Sequence, residues 1–195
     1  MNCDIKSYTI GELCDYNKGA SIPRDSTSVN YQIPYLHYGD IYKLFTTYVE
    51  YDRVQSSIIK VMPSEKIKSD QLLLDGDIVY NLASETVEDL GKSVMIINPK
   101  NDPFIAGMET TVFRIKNKTI VSPKYLQYIF ESTKFQALLR QYVTGMKVYR
   151  VHPRDLSRIV IDLPSIDVQE KIVAFADDIY NVIDINRKIN DYLAA

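Results

Sequence analysis

The hydrophobic positions of the chain change their period near residue 120. Before that point, short apolar runs alternate with clusters of Gly, Pro, Asn and Asp, a pattern typical of strands joined by loops. The clearest runs predict strands within residues 33–41, 72–82, 93–97 and 110–115. Within the second run, Asp75-Gly76-Asp77 predicts a turn or bulge between two pieces of strand. The first 120 residues therefore predict an irregular, β-rich body.

After Ser122 and Pro123 the apolar residues recur at helical spacing. Serine favours the N-cap of a helix, and proline favours its first position. This pattern predicts a helix over residues 123–141, interrupted afterwards by Gly145, and then a strand over residues 159–161.

The segment 167–193 contains neither glycine nor proline and predicts one long helix. Its apolar residues alternate at intervals of four and three, the heptad spacing of a coiled coil. Asn186 occupies a heptad core position, where a polar residue fixes the register and the number of partners. Seven residues define what we call the helix stripe: Ile172, Phe175, Ile179, Val182, Asn186, Ile189 and Leu193.

The helix stripe could be buried in two ways. Ala176 and Ile183 widen it, so it could pack on the body of its own chain. Because no residue follows the helix to fold back over the stripe, we favour pairing with another long helix. Together the patterns predict an α+β fold, in which a β-rich domain with peripheral helices (residues 1–164) precedes one coiled-coil-like helix (residues 165–195).

Composition places the chain among ordinary globular proteins. With 195 residues, of which 46% are hydrophobic and 25% charged, it can form one core with an appended element, but not two full domains. It has no apolar run of about 18 residues and no signal-like start, so we expect a cytoplasmic protein without a membrane partner. Cys3 and Cys14 lack disulfide-framework or zinc spacing and predict reduced structural thiols.

The net charge of −2 conceals an uneven distribution. Residues 116–158 contain nine lysines and arginines against two acidic residues, whereas the segments on either side are net acidic. Such a basic block suits a phosphate backbone, although a solvated surface with internal ion pairs would have the same composition. Charge alone does not separate the two interpretations.

The usual catalytic patterns are absent from the sequence. No Gly-x-Gly or P-loop is present, and Asn101-Asp102-Pro103-Phe104 is only superficially similar to the Asn-Pro-Pro-Phe of amino-methyltransferases. His37 and His152 are isolated, which favours structural roles over metal binding or general-base chemistry. We therefore predict a non-catalytic chain with no cofactor and no metal site.

Three stretches, in this order, resemble the specificity subunit of type I restriction-modification systems. Residues 33–41 (IPYLHYGDI) are similar to the family's Ile-Pro-Trp/Tyr-x-x-x-Gly-Asp-Ile. Residues 74–79 (LDGDIV) with Gly91-Lys92 are similar to its Gly-Asp-Ile followed by Gly-Lys. Residues 163–172 (LPSIDVQEKI) are similar to the entry of its helix, Leu-Pro-Pro-Leu-x-x-Gln-x-x-Ile. The resemblance covers nearly the whole chain.

The resemblance implies a target-recognition domain that reads half of a bipartite site in double-stranded DNA, followed by a helix that acts as a ruler. Members usually contain two such repeats with antiparallel helices, bind two methyltransferase (modification) subunits, and can recruit a translocating restriction subunit. The 195 residues contain one repeat. We therefore expect a half-subunit that homodimerises through residues 167–193 and reads a palindromic split site. The alternative is an interaction module that pairs or competes with a full specificity subunit without touching DNA.

The resemblance also favours DNA contacts for cations in the predicted loops. Base edges need hydrogen-bond donors and phosphates need cations, and loop tips commonly present both. Ion pairing with the acidic body is the structural alternative for each of them. The candidates are Lys147, Tyr149, Arg150 and Arg154 around the Gly145 loop, Lys18 and Arg24 in an earlier loop, and Lys43 and Lys92 beside the matched motifs.

Overall fold

A computed structural model describes residues 4–43, 47–63 and 67–194, with all side chains of the last helix except those of residues 184, 187, 188, 191 and 194. Cys3 lies outside the described residues. Cys14 is a free, buried thiol, as predicted, and burial raises its pKa to about 12.

The strands are short and lie mainly in the first 120 residues, as the alternating runs predicted. The run over residues 33–41 is a strand only as far as Leu36, because the chain forms a helix from Tyr38. Their bounds are β1 Lys6–Thr9, β2 Cys14–Lys18, β3 Thr27–Ser28, β4 Ile33–Leu36, β5 Tyr48–Glu50, β6 Lys60–Val61, β7 Ile78–Asn81, β8 Ala83–Ser84, β9 Ser93–Ile97, β10 Ile105–Ala106, β11 Thr110–Ile115, β12 Tyr149–Arg150 and β13 Val160–Leu163.

The helices lie around this body, and the last of them along the chain is much longer than the others. They are α1 Ile10–Leu13, α2 Tyr38–Lys43, α3 Tyr51–Val54, α4 Pro123–Glu131, α5 Thr133–Leu139, α6 Pro153–Leu156 and α7 Ile166–Ala194, with 3-10 turns at Arg24–Ser26, Ser69–Gln71 and Arg140–Tyr142. The fold is therefore α+β, as predicted, and α7 extends one residue beyond each end of the predicted helix.

A five-stranded sheet in the order β2-β11-β7-β9-β5 forms the centre of the body. All its pairs are antiparallel except β5 with β9. A second sheet has the order β10-β4-β6-β3, while β1 pairs with β13 and β8 pairs with β12. The last two pairings connect the C-terminal part of the body to its N-terminal half.

Both faces of the central sheet are buried, and successive residues alternate between them. In β7, Ile78 and Tyr80 belong to the core cluster under α4 and α5, whereas Val79 belongs to the cluster on the other face. In β11, Phe113 and Val112 divide in the same way. This two-sided burial explains why these strands are continuous apolar runs in the sequence.

The Asp75-Gly76-Asp77 stretch forms the predicted turn before β7. Gly76 has φ of 85°, a left-handed conformation that favours glycine. Asp77 is almost fully buried, and its two carboxylate oxygens accept hydrogen bonds from Arg114 at 2.9 and 2.7 Å. This bidentate pair fixes the turn against β11.

The prediction of one continuous helix over residues 123–141 was wrong, because the chain breaks at Ser132. The Ser132 hydroxyl donates to the Ile129 carbonyl at the end of α4 and accepts from the Phe135 amide at the start of α5. One side chain thus caps two helices, and the apolar spacing continues through the break because both helices pack on the same core.

Helix α7 packs on the body through one face of its first half. The Gln169 side chain is fully buried and donates to the carbonyls of Ile120 and Pro164, both at 2.9 Å. Its carbonyl oxygen accepts the Ser122 amide at 3.0 Å. Val173, one turn later, is also buried. Hydrogen bonds as well as apolar contacts therefore attach the start of α7.

A polar cluster holds the next two turns. Asp177 accepts hydrogen bonds from Lys124 at 2.6 Å, from Tyr48 at 2.8 Å and from Tyr128 at 2.5 Å. The ring of Tyr180 stacks on the ring of Tyr128, with centroids 5.5 Å apart. Burial acts to raise the pKa of Asp177, but these hydrogen bonds outweigh it, and the net effect lowers the pKa.

The helix stripe lies on the side of α7 opposite to this docked face. At 100° per residue, the two sets of side chains are separated by roughly 145° around the helix axis. The apolar members of the stripe are 43% to 75% exposed, and Asn186 is exposed. The described part of the body therefore does not cover the stripe, although the expectation of a coiled coil stays a prediction.

We expect Asp177→Asn to lower the free energy of unfolding by about 1–2 kcal/mol at neutral pH, because charge-assisted hydrogen bonds to α7 are lost. A carboxylate with a lowered pKa stabilises the fold above its unfolded pKa, and this stabilisation disappears as the pH falls through the folded value. The difference between wild type and variant should therefore shrink below the ordinary pKa of 3.8.

Chemical denaturation between pH 2.5 and 7 measures this difference. The matched control is Asp178→Asn, which changes the exposed neighbour of Asp177 and should have little effect. Glu131, whose own pKa is raised by burial, is present in all three proteins, so its contribution cancels. Equal stability of both variants at pH 7 would contradict the assigned role of Asp177.

Candidate nucleic-acid interface

A hairpin at residues 144–150 forms the most prominent loop of the basic segment. Thr144 and Arg150 exchange two backbone hydrogen bonds of 2.9 and 2.8 Å at its base. Gly145 has φ of 97°, and a Cβ atom there would lie 2.1 Å from the Val148 carbonyl oxygen, so the turn requires glycine. Pairing of β12 with β8 then attaches the hairpin to the central body.

The tip of this hairpin is exposed and bears a cation. Met146 is 96% exposed, and Lys147 beside it is also exposed. Among the described residues, none forms an ion pair with Lys147. The predicted Lys147 therefore lies at the exposed tip of an anchored hairpin, and its side chain extends into solvent.

A cleft of about 770 Å³ lies beside the hairpin. It is bounded by the end of β2, the segment between β10 and β11, the hairpin base and the start of α6. Lys18 and Arg150, which are 132 positions apart in the sequence, both line it. The structure thus brings one candidate from the early loop and one from the basic segment to the same surface.

Arg150 forms an ion pair with Glu109 in this cleft, and both side chains are partly exposed. Glu109 has φ of 61°, a conformation that is uncommon for residues with a side chain. Its carbonyl oxygen accepts the Leu82 amide at 3.0 Å, which holds the strained backbone in place. The cleft therefore contains an arginine with a fixed carboxylate partner.

Helix α6 adds a further exposed cation next to the cleft. His152 lines the cleft and caps this helix, because its Nδ1 accepts the Arg154 amide at 3.1 Å. The Arg154 side chain is exposed and has no ion-pair partner within the described ranges. His37 likewise accepts the Gly39 amide, so both histidines have structural roles.

The other predicted DNA contacts do not line the cleft. Arg24 is exposed in the 3-10 turn after β2, and Lys43 is exposed at the end of α2. Lys92 is held by α2, since its amine lies 3.4 Å from the Tyr42 carbonyl oxygen and 5.8 Å from the centre of the Tyr42 ring. Tyr149 packs partly buried against the main core. A DNA role for these four residues stays a prediction.

Ion pairs within the chain divide the basic segment into two groups of residues. Some of its cations are paired with carboxylates of the same chain, as the structural alternative predicted: Lys116, Lys124, Lys134, Arg150 and Arg158. Lys147 and Arg154 have no such partner in the described part of the chain and lie near the cleft. Part of the basic block therefore serves to hold the fold together. Lys147 and Arg154, near the hairpin, are among its cations that remain unpaired in the described residues.

Two residues of this surface, Glu109 and Met146, are not among those predicted from the sequence. Glu109 lies between two strands and shows no periodic or motif signal, and only its positive φ distinguishes it. Met146 could have been found from its position directly after Gly145, because a loop tip exposes its residues. Neither residue belongs to a recognisable sequence motif.

Neither a metal site nor a membrane-spanning helix is found within residues 4–43, 47–63 and 67–194. No cluster of three or more His, Cys, Asp or Glu side chains is arranged to hold a metal ion there. Within the same ranges, no helix combines the length and apolar character needed to cross a bilayer.

Solved structures share this fold. The chain aligns with the S subunit of a type I restriction-modification system from M. genitalium at a TM-score of 0.57 and 15% identity, covering 97% of this chain and 44% of that chain. It aligns with the HsdS subunit from Thermoanaerobacter tengcongensis at 0.62 and 18% identity, covering 95% and 39%. A chain from a study of complex assembly and conformational transition of the type I R-M system aligns at 0.65 and 17%, covering 94% and 40%.

The chain thus spans less than half the length of these structural relatives. Comparison with curated proteins gave no match. The family described as the type I restriction modification DNA specificity domain matches residues 2–195. This family is the specificity part of such systems and not a catalytic subunit, in agreement with the prediction from the motifs. With nearly every residue matched, the chain belongs to the type I restriction-modification DNA specificity family.

Proposed function

We propose that this chain is a DNA-reading half-subunit that acts as a homodimer in the cytoplasm. Residues 1–164 form the recognition domain, which reads one half of a bipartite site in double-stranded DNA. Residues 165–195 pair with the same segment of a second copy and hold the two readers at a fixed separation. Methyltransferase subunits, and a restriction subunit in a complete complex, then act at the site that the dimer selects.

The observation that carries this proposal is the arrangement of the two faces of α7. One face is bonded to the recognition domain through Gln169 and Asp177, while the opposite face presents the helix stripe to solvent. A partner that covers the stripe would therefore not disturb the attachment of the domain. The helix has 29 residues and is about 43 Å long, enough to separate two readers by a turn of duplex or more.

A second copy of the chain is the occupant that best fits the stripe. The stripe is a heptad with one polar core position, and identical helices place Asn186 of each copy in an equivalent environment. In a twofold dimer, the helix stripe of one copy packs against the helix stripe of the other, so no different protein is needed to cover it. The DNA site read by such a dimer is palindromic.

DNA recognition is supported by the cleft and its neighbouring cations. Lys18 and Arg150 line the cleft, while Lys147 and Arg154 project beside it. Phosphate contacts from exposed cations position a protein on a duplex, and base contacts from the cleft supply sequence selectivity. Local positive charge at this surface thus offsets the net acidity of the chain for DNA binding.

We expect Lys147→Ala to weaken binding to a duplex selected from a random-sequence pool by about threefold to tenfold, because one phosphate contact is lost. For the same reason, the slope of log affinity against log salt should become shallower by about one unit. Filter binding across a salt series measures both quantities.

The control for this experiment is Lys100→Ala. Lys100 is exposed after β9, near the edge of the central sheet remote from β2, and its loss should change neither affinity nor slope. If Lys147→Ala behaves like Lys100→Ala, the hairpin is not a phosphate contact. If the wild-type chain binds no duplex, the alternative role as a module that pairs with a full specificity subunit is favoured instead.

The homodimer is tested by sedimentation velocity at micromolar concentration. We expect a wild-type dimer, and a monomer for Val182→Glu, because a charge would be buried in the centre of the helix pair. Val182 is 58% exposed in the isolated chain, so the variant should fold normally.

Ala174→Glu is the matched control, since Ala174 is exposed on α7 but lies outside both the stripe and the docked face. It should remain dimeric. Asn186→Leu should remain associated but lose a single defined register or partner number. A wild-type monomer at this concentration, unchanged by altering Asn186, would contradict the homodimer.

A further inference from the structure

The cations around the cleft differ in how they are held. Lys147 is a flexible point charge at a loop tip, and no described carboxylate restrains it. Arg150 lines the cleft with about half of its side chain exposed and one guanidinium nitrogen bonded to Glu109. A phosphate contact needs only a positive charge, whereas a base edge needs donors in a fixed orientation. The two residues are therefore suited to different acceptors.

The backbones at both ends of the Arg150–Glu109 pair are fixed to one another. The amide of Leu82 donates to the Glu109 carbonyl, and the carbonyl of Leu82 accepts the Val151 amide, both at 3.0 Å. Arg150 is further held by its double backbone bond to Thr144. Leu82 is thus bonded both to Glu109 and to the neighbour of Arg150. The carboxylate of Glu109 and the guanidinium of Arg150 therefore extend towards each other from backbones that are held in place.

The chemistry of the pair points to a base acceptor rather than a phosphate. Guanidinium has five N–H donors in a planar fork, so bonding of one nitrogen to Glu109 leaves further donors for a ligand. Guanine offers two acceptors, O6 and N7, in the major groove, and an arginine fork matches them. The Glu109 charge repels a phosphate that approaches Arg150, whereas it does not repel the acceptor edge of a base to the same extent.

We propose that Arg150 reads a guanine of the target site and that Glu109 is the positioning residue that aims its guanidinium. This inference rests on the proposed DNA-reading function and adds to it a residue pair and a base. Glu109 reduces contact with phosphates of non-target DNA, and it restricts Arg150 to the orientation in which the fork meets the base edge. Lys147 contributes affinity without sequence preference.

The test is selection of duplexes from a random-sequence pool by the purified full chain, followed by filter binding of the selected duplex and of a scrambled duplex. Glu109→Gln retains the shape of the side chain and removes its charge. We expect it to weaken the preference for guanine at one position of each half-site. Affinity for the scrambled duplex should rise about threefold, and its salt slope should steepen by about one unit, because Arg150 can then contact phosphates.

Arg150→Lys provides a second variant that keeps the charge and removes the fork. It should lose the same guanine preference while retaining affinity for the scrambled duplex. Lys147→Ala should lower affinity for all duplexes and leave the preference intact. Glu170→Gln, an equal change of charge at an exposed position of α7, controls for net charge and should select the wild-type motif.

An unchanged guanine preference in Glu109→Gln and Arg150→Lys would overturn the inference, as would an equal loss of affinity for every sequence in Arg150→Lys. Thermal unfolding of each variant confirms that the fold is retained. If the wild-type chain selects no motif, the proposed function itself fails and the inference with it. If the wild-type chain selects a motif and both Glu109→Gln and Arg150→Lys select the same one, only the inference fails and the proposed function stands.

Discussion

The attachment of α7 to the β-rich body is the interaction on which the rest of the structure depends. Gln169 forms hydrogen bonds with three backbone groups of the body, and Asp177 accepts hydrogen bonds from one lysine and two tyrosines. These are directional contacts, so they fix the angle of the helix more closely than an apolar face alone would. They also leave the helix stripe free. In the proposed homodimer, a helix that is fixed to its own body on one face and paired through the other would hold the two bodies at a constant distance.

The same separation of roles applies to charge. Much of the basic segment is neutralised by carboxylates of the same chain, and these pairs connect α4, α5 and the C-terminal strand to their neighbours. Ion pairs that lie near the surface contribute little to stability, but they remove charge from faces where DNA is not expected. Unpaired cations are found around the hairpin and cleft. An acidic protein can thus present a locally basic surface.

Sequence patterns predicted the β-rich body, the long helix and its free stripe. This was possible because apolar residues occupy the positions that strands and helices bury, so their spacing indicates the type of element. They failed at Ser132, where a single hydroxyl caps two helices that share one core. They also missed the docked face of α7, since it is held largely by polar residues that hydrophobic periodicity cannot detect. Lys18 and Arg150 were predicted individually. Their shared cleft and the partner Glu109 depend on tertiary pairing, which the sequence does not display.

Mapping of methylated bases in cells that contain this chain together with a type I methyltransferase tests the proposed homodimer most directly. A homodimer with two identical readers predicts a split motif whose two halves are inverted repeats separated by a constant spacer. An asymmetric split motif would show that a different reader occupies the second position. Absence of any methylation that depends on the chain would contradict its role in DNA recognition.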